Sequence, residues 1–349
     1  MFDRSIPMIG FHTLLDTHEG VEPLIRLIRE GLVPANVNTI VLEMRSQFRC
    51  FPEYSMGTVT FEDARSIADV CAEYGIRLVP LLPCLSHQST HERSIPYPIY
   101  QAHPEFLESP EEANTGKQWP DFTLHSWCAS NDDIYQYIFP MMDEMAEACR
   151  AEAVHVGLDE LFEIAKCPRC KGKDPAKLYA RTVKILHDHL AEKGLSTMIW
   201  GDRLLPSLEM GYTLWEGDRF DIHQAIDMPE ITKDLIICDW HYDIHSHGYP
   251  SIEYFMTRGF FVVPSVWINN ESAKHFFLHA QEGVYLGRTY GWPGTMGGIL
   301  YTHWIPMDET HAQQILNGIA GETPEAKDAS TEVGRVIARL TKAASNVKV

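Results

Sequence analysis

Eight short runs, each nearly continuous in Val, Ile, Leu or Phe, punctuate the chain: "PMIGFHTL", "NTIVLEM", "RLVPLLP", "AVHVGLDE", "STMIWGD", "LIICDWHYD", "FFVVPSVW" and "GGILYTHW". A strand with one wet face alternates apolar and polar residues, whereas parallel strands covered on both faces lose that alternation. Helical patterns separate most of the runs, among them "GVEPLIRLIREGL", "FEDARSIADVCAEYG", "DDIYQYIFPMMDEMAEACR", "DPAKLYARTVKILHDHLAEKG" and "SIEYFMTRG". Eight strands joined by helices predict an α/β fold, a (β/α)8 TIM barrel, as a single domain over residues 1–349 with an amphipathic C-terminal helix at about 325–345. A doubly wound open sheet is the competing arrangement. It is disfavoured because neither a glycine-rich phosphate loop nor a topological break stands out.

Acidic residues outnumber basic ones 48 to 29, and the net charge of -19 works against nucleic acid, anionic membranes and polyphosphates as partners. A small neutral or cationic ligand fits better. No apolar run approaches the length that spans a bilayer. The opening "MFDRSIPMIGFHTLL" lacks a basic segment, a long apolar run and a small-residue cleavage site, so a cytoplasmic protein is expected. Eight cysteines in a chain of 349 residues do not make a disulfide framework. Most sit in apolar segments and are expected to be reduced and buried.

Most of the strands end in polar or aromatic residues: Glu43 to Arg45, Ser86 and His87, Asp159 and Glu160, Trp200 to Asp202, Asp239 to Asp243, Trp267 to Asn270, and His303 with Trp304. In a barrel all of these ends open on one face, where such folds keep their active sites. The stretch from Ser86 to Asn131, rich in Pro, His and aromatic residues, follows the third strand on that face. Long aperiodic loops of this kind are usually functional.

"AVHVGLDELFEIAKCPRC", at 153–170, drives an apolar strand into two adjacent carboxylates. Neighbours on a regular strand point to opposite faces, so Asp159 and Glu160 can share a pocket only where the strand ends. Acids at a helix N-terminus are the structural alternative. A histidine and a glycine directly in front, in "HVG", favour a site. Ordinary retaining glycosidases flank the scissile bond with carboxylates from different strands, so consecutive ones suit a mechanism in which the substrate supplies the nucleophile.

"HVGLDE" resembles the His-x-Gly-Gly-Asp-Glu motif of glycoside hydrolase family 20, the β-N-acetylhexosaminidases, with Leu158 in place of the second glycine. "RLVPLLPCLSHQS" is similar to the family's third strand, Ser86 standing where glycine is usual, and "LEMRSQFRCFPEY" and "GILYTHW" resemble the small hexosaminidase D-like branch. The similarity spans essentially the whole chain. It implies an exo-acting retaining β-N-acetylhexosaminidase without a cofactor. Glu160 becomes the general acid/base, Asp159 the group that orients the 2-acetamido substituent, and Tyr242 a donor to its carbonyl, with Asp239 or Asp243 as further contacts to the sugar. The bell-shaped pH profile implied has an alkaline limb set by Glu160.

Trp200, Trp240, Trp267 and Trp304 fall at strand ends, where indoles can form the apolar wall that a pyranose ring and an acetamido methyl need. His87 and His155 are candidate partners of the carboxylates, and Asp202, Glu43 and Arg45 candidate contacts to substrate. The family's arginine at the end of strand one has no counterpart in "GFHTLLD", so Asp16 or Arg45 would have to substitute. That departure and Leu158 keep two alternatives open, a catalytically weak carbohydrate-binding barrel and a barrel glycosidase of other sugar specificity. "CPRCKGK" looks like half of a zinc ribbon without a second Cys-x-x-Cys, so Cys167 and Cys170 read as plain loop thiols unless other parts of the fold supply ligands. "HDHLAEK" reads as a solvated helix face, and no metal is expected.

Overall fold

The computed structural model describes residues 1–90, 95–112, 125–218, 220–322 and 328–344. Parts of the long loop after the third strand (91–94 and 113–124) and both ends of the expected C-terminal helix lie outside the described residues. The strands are β1 (Met8–Leu15), β2 (Thr39–Met44), β3 (Arg77–Cys84), β4 (Ala153–Gly157), β5 (Ser196–Trp200), β6 (Ile236–Trp240), β7 (Phe261–Val266), β8 (Thr295–Met296) and β9 (Gly298–Pro306). All pair in parallel, each with the next from β1 to β7. β9 closes the cylinder by pairing with both β7 and β1. The fold is a TIM barrel.

Closure depends on a break in the last stave. β8 continues the edge of β7, and Gly297 and Gly298 then carry the chain across to β1. Gly298 has φ +126°, and a Cβ there would stand 1.9 Å from the Met8 carbonyl oxygen, so only glycine admits this approach.

The alternation of side chains sorts the strands' residues into two cores. Met8, Val41, Val79, Leu81, Ala153, Met198, Cys238, Val263 and Leu300 fill the barrel interior, with Phe2 in the same cluster. Toward the C-terminal ends of the strands the filling becomes aromatic, as Trp200 is buried there with Trp240 and Trp304 packed against the cluster. The outward residues meet the helices in a second, larger core. Helix starts are specified locally: Thr60 and Asp63 form a reciprocal capping box for Phe61–Glu73, and the Asp174 carboxylate accepts amide N–H groups at the start of Pro175–Glu192.

His187 and His189, expected on a solvated face of Pro175–Glu192, pair instead with neighbouring elements. His187 Nε2 lies 2.9 Å from Asp234 Oδ2, while His189 Nε2 lies 2.8 Å from Asp143 Oδ1 and its ring stacks on Phe139. The last described helix, Ala329–Ala344, buries Val333, Val336, Ile337 and Leu340. Its Ser330 and Thr341 hydroxyls reach His303 and Tyr301 on β9. Among the described residues no helix is long and apolar enough to cross a membrane.

β4 stops at Gly157 because the backbone turns left-handed there: φ is +69° at Gly157, +76° at Leu158 and +48° at Glu160. Leu158 costs about 1–2 kcal/mol in that region. Its side chain is fully buried, and burial of a leucine contributes about 1.5–3 kcal/mol, so packing offsets the strain. Gly157 is held by a close approach, a Cβ there lying 3.2 Å from Pro83 Cα. Gly157→Ala is expected to lower unfolding free energy by about 1–2 kcal/mol through its left-handed backbone alone, measurable as a reduced urea midpoint at unchanged slope.

Candidate active site

The left-handed turn after β4 breaks the strand's alternation and presents Asp159 and Glu160 to one side. The loop after β3 makes a matching turn, with φ +66° at Leu85 and +56° at His87, and brings the imidazole between them. His87 Nε2 stands 3.2 Å from Asp159 Oδ2 and 3.3 Å from Glu160 Oε2. Burial works against charge on this ring, but the two carboxylates outweigh it and lift its pKa well above 6.5. The converse holds for Asp159: burial would raise its pKa, and His87 pulls it below the ordinary value. A protonated His87 thus links two ionisable oxygens that would otherwise repel.

Tyr242 forms the facing wall. The Trp304 indole N–H donates to its phenol oxygen at 2.9 Å, and Trp240 and Trp267 pack beside its ring at centroid distances of 5.1 and 5.5 Å. Thr302 Oγ lies 3.3 Å from the phenol oxygen and donates to the Val266 carbonyl at 3.0 Å. Burial pushes the phenol pKa up, so Tyr242 keeps its proton. With Trp304 occupying its acceptor side, that proton is available to a ligand.

Asp202 lies beneath the pocket and is buried. Its Oδ2 accepts the Glu160 amide N–H at 2.9 Å and the Arg203 Nε–H at 2.6 Å, and its Oδ1 accepts the Trp240 indole N–H at 3.3 Å. Burial raises its pKa to about 6 despite the Arg203 charge. Asp202 therefore positions the acid pair and a wall indole and does not line the pocket as a free contact.

Other expected contacts also lie below the rim. Trp200 and His155 are fully buried in the barrel interior, ring centroids 4.5 Å apart, and the His155 ring accepts the Gly157 N–H at Nδ1. Burial holds His155 neutral, its pKa near 3. Glu43 and Arg45 are buried and paired, Oε1 to Nη1 2.9 Å, with the Arg45 guanidinium over the Tyr97 ring. Arg45 is thus engaged by the end of β2 and by the loop after β3.

The end of β6 corrects the expectation for Asp239. Trp240 and Tyr242 face the pocket, so period-two alternation turns Asp239 and His241 away from it, toward the helices. Asp239 is fully buried with Oδ1 3.3 Å from His241 Nε2, and Asp243 is exposed, its carbonyl accepting the Tyr249 and Ser272 hydroxyls. Sequence reasoning missed this outward network. His241 Nδ1 is 3.0 Å from Glu216 Oε1, which also meets His245 Nε2 at 2.9 Å. Thr302 escaped it as well, though it lies two residues before Trp304 on the same strand face, the signal that would have found it.

The family model described as "Glycosyl hydrolase family 20, catalytic domain" matches residues 35–243, which run from just before β2 to just past Tyr242. The chain belongs to glycoside hydrolase family 20. A crystal structure of a β-N-acetylhexosaminidase superposes with a TM-score of 0.65 at 13% identity, covering 97% of this chain and 75% of its own. A β-N-acetylhexosaminidase from Bacteroides fragilis gives 0.58 at 14%, covering 94% of this chain and 66% of its own. A family 20 exo β-N-acetylglucosaminidase from Vibrio harveyi, in complex with N-acetylglucosamine, gives 0.60 at 14%, covering 97% and 58%. These likenesses are of fold. No curated protein sequence matches significantly.

In this family 20 barrel the His241 network is a pH-sensitive support for the strand end that bears Tyr242. Burial disfavours charge on His241, but Asp239 and Glu216 raise its pKa from 6.5 to about 9. A raised folded pKa means that the stabilisation is complete below pH 6.5 and is lost as pH rises through about 9. Urea unfolding across that window is expected to show falling stability with a shallower slope in Glu216→Gln. Equal slopes in the two proteins would rule the network out as the cause.

Proposed function

We propose that the protein is an exo-acting, retaining β-N-acetylhexosaminidase that removes terminal β-linked N-acetylglucosamine or N-acetylgalactosamine from a glycan by substrate-assisted catalysis. The observation that carries this reading is the pair of consecutive carboxylates sharing one histidine nitrogen, at 3.2 and 3.3 Å. An acid and nucleophile of the ordinary retaining kind stand about 5–5.5 Å apart across the bond, whereas these two carboxylates come within 4.8 Å of each other at one strand end. Family membership and the indole-lined wall opposite support the same reading.

Glu160 donates its proton to the departing glycosidic oxygen while the substrate's acetamido carbonyl oxygen attacks the anomeric carbon. The C1–O bond to the leaving group breaks as the new C1–O bond closes an oxazolinium ring. Asp159, ionised beside protonated His87, accepts the acetamido N–H and balances the positive charge that develops on that ring. Tyr242 gives its hydroxyl proton as a hydrogen bond to the carbonyl oxygen and holds it in line. Water then attacks C1 from the face the leaving group vacated, Glu160 takes a proton from it, and ring opening restores the acetamide with the original anomeric configuration. Trp240, Trp267 and Trp304 exclude water from the acetamido methyl and the pyranose face.

Glu160→Gln is expected to slow hydrolysis of a β-linked disaccharide by about 10²–10⁴-fold, with a smaller loss on a 4-nitrophenyl glycoside whose leaving group needs no proton. Asp159→Asn is expected to lower kcat on both substrates by about 10²–10³-fold, the scale of one lost electrostatic contact to the transition state. A thiazoline mimic of the oxazolinium ring should inhibit wild type competitively. Near-normal turnover by Asp159→Asn, or indifference to the thiazoline, would sink the substrate-assisted route.

A further inference from the structure

We propose that Glu108, Cys128, Cys167 and Cys170 form a structural zinc site that staples the loop after β3 to the loop after β4. The Cys-x-x-Cys pair lies in the irregular segment 158–174, and the other two residues come from the far part of the β3 loop. Cys128 Sγ stands 3.3 Å from Cys167 Sγ and 3.4 Å from Cys170 Sγ. One ligand atom from each of the four residues lies within 4.8 Å of the others. A tetrahedral zinc with sulfur and oxygen ligands sets those separations at roughly 3.3–3.8 Å, so small side-chain movements bring all four into place.

Several features make this a metal site in preference to a cluster of thiols. All four residues are buried, Glu108 at 1% exposure and Cys170 at 0%. No cysteine of the chain is in a disulfide, and one disulfide here would leave the third thiol and a buried carboxylate unanswered. Glu108 Oε1 accepts the backbone N–H groups of Lys166 and Cys167, which fixes the carboxylate, while its Oε2 is buried and makes no hydrogen bond. Among the described residues no cationic side chain pairs with Glu108. A buried carboxylate anchored by one oxygen and lying within 4.8 Å of three sulfurs calls for a cation among them.

The pair itself is folded as a ligand turn. The Cys170 and Lys171 N–H groups both donate to the Cys167 carbonyl, at 3.0 and 2.8 Å, which sets the two sulfurs on one side. Lys166, Arg169, Lys171 and Lys173 lie within or next to the turn in sequence, so the segment that would carry the thiolates is basic in an otherwise acidic chain. Thiolates select zinc over calcium or magnesium, and sulfurs this close enclose one ion and not an iron–sulfur cluster. Four protein ligands leave no open position, so the ion has a structural role. Its effect reaches the catalytic groups through the chain: the stapled loops begin at His87 and at Asp159 and Glu160.

The test is metal analysis of the full chain, purified reduced and without a metal-affinity step. One zinc per chain by plasma mass spectrometry is expected, as are thiolate-to-cobalt charge-transfer bands after replacement with Co(II). Cys128→Ser should weaken zinc affinity at least about 100-fold in competition with a chromophoric chelator, and Glu108→Gln, which preserves volume, at least about 10-fold. Folded, fully reduced wild type that neither contains zinc nor takes it up would overturn the proposal. So would a mapped disulfide among the three cysteines, or unchanged zinc affinity in Glu108→Gln. These readouts are independent of any sugar substrate.

Discussion

Closing an all-parallel sheet on itself leaves no free edge and sends every strand out of the barrel at the same end. The remaining structure follows from that constraint. Eight staves must meet in register, and the last does so only because Gly298 passes the Met8 carbonyl where no side chain could stand. Once the cylinder closes, residues from β3, β4, β5, β6 and β9 that are far apart in the chain converge on one rim. Side chains that alternation turns inward become either packing or pocket, depending only on their depth.

Depth also decides the electrostatics. Low in the barrel, His155 is kept neutral by burial, its pKa near 3. At the rim, His87 gains enough from two carboxylates to hold its proton against the same penalty. Behind the rim, His241 does likewise between Asp239 and Glu216. Three histidines within one end of one barrel thus divide into one neutral ring, His155, and two protonated ones, His87 and His241, each of the latter set between carboxylates.

The barrel was legible because fully covered strands write themselves as continuous apolar runs, and all eight runs carry barrel strands. That the carboxylates, His87 and Tyr242 come together at one rim was legible because their resemblance lies in contiguous motifs at strand ends. What escaped depends on three-dimensional proximity that spacing does not encode. Asp202 looked like a sugar contact until its oxygens proved to hold the Glu160 amide and Arg203. Asp239 lies three residues before Tyr242, yet alternation turns it away from the pocket, toward His241. Cys128 lies in an aperiodic loop about which periodicity says nothing, so its meeting with Cys167 and Cys170 had no linear signal.

Leu158 gives the turn after β4 a different character from one built on two glycines. Two glycines make a left-handed turn cheap wherever the neighbouring packing happens to lie. Here the same turn exists only while a buried leucine finds its cavity, so the shape of the outer core is written directly into the orientation of Asp159 and Glu160. A change in that core therefore acts directly on the turn that presents the acid pair. The protein has exchanged a permissive joint for one whose setting is monitored by its own hydrophobic interior.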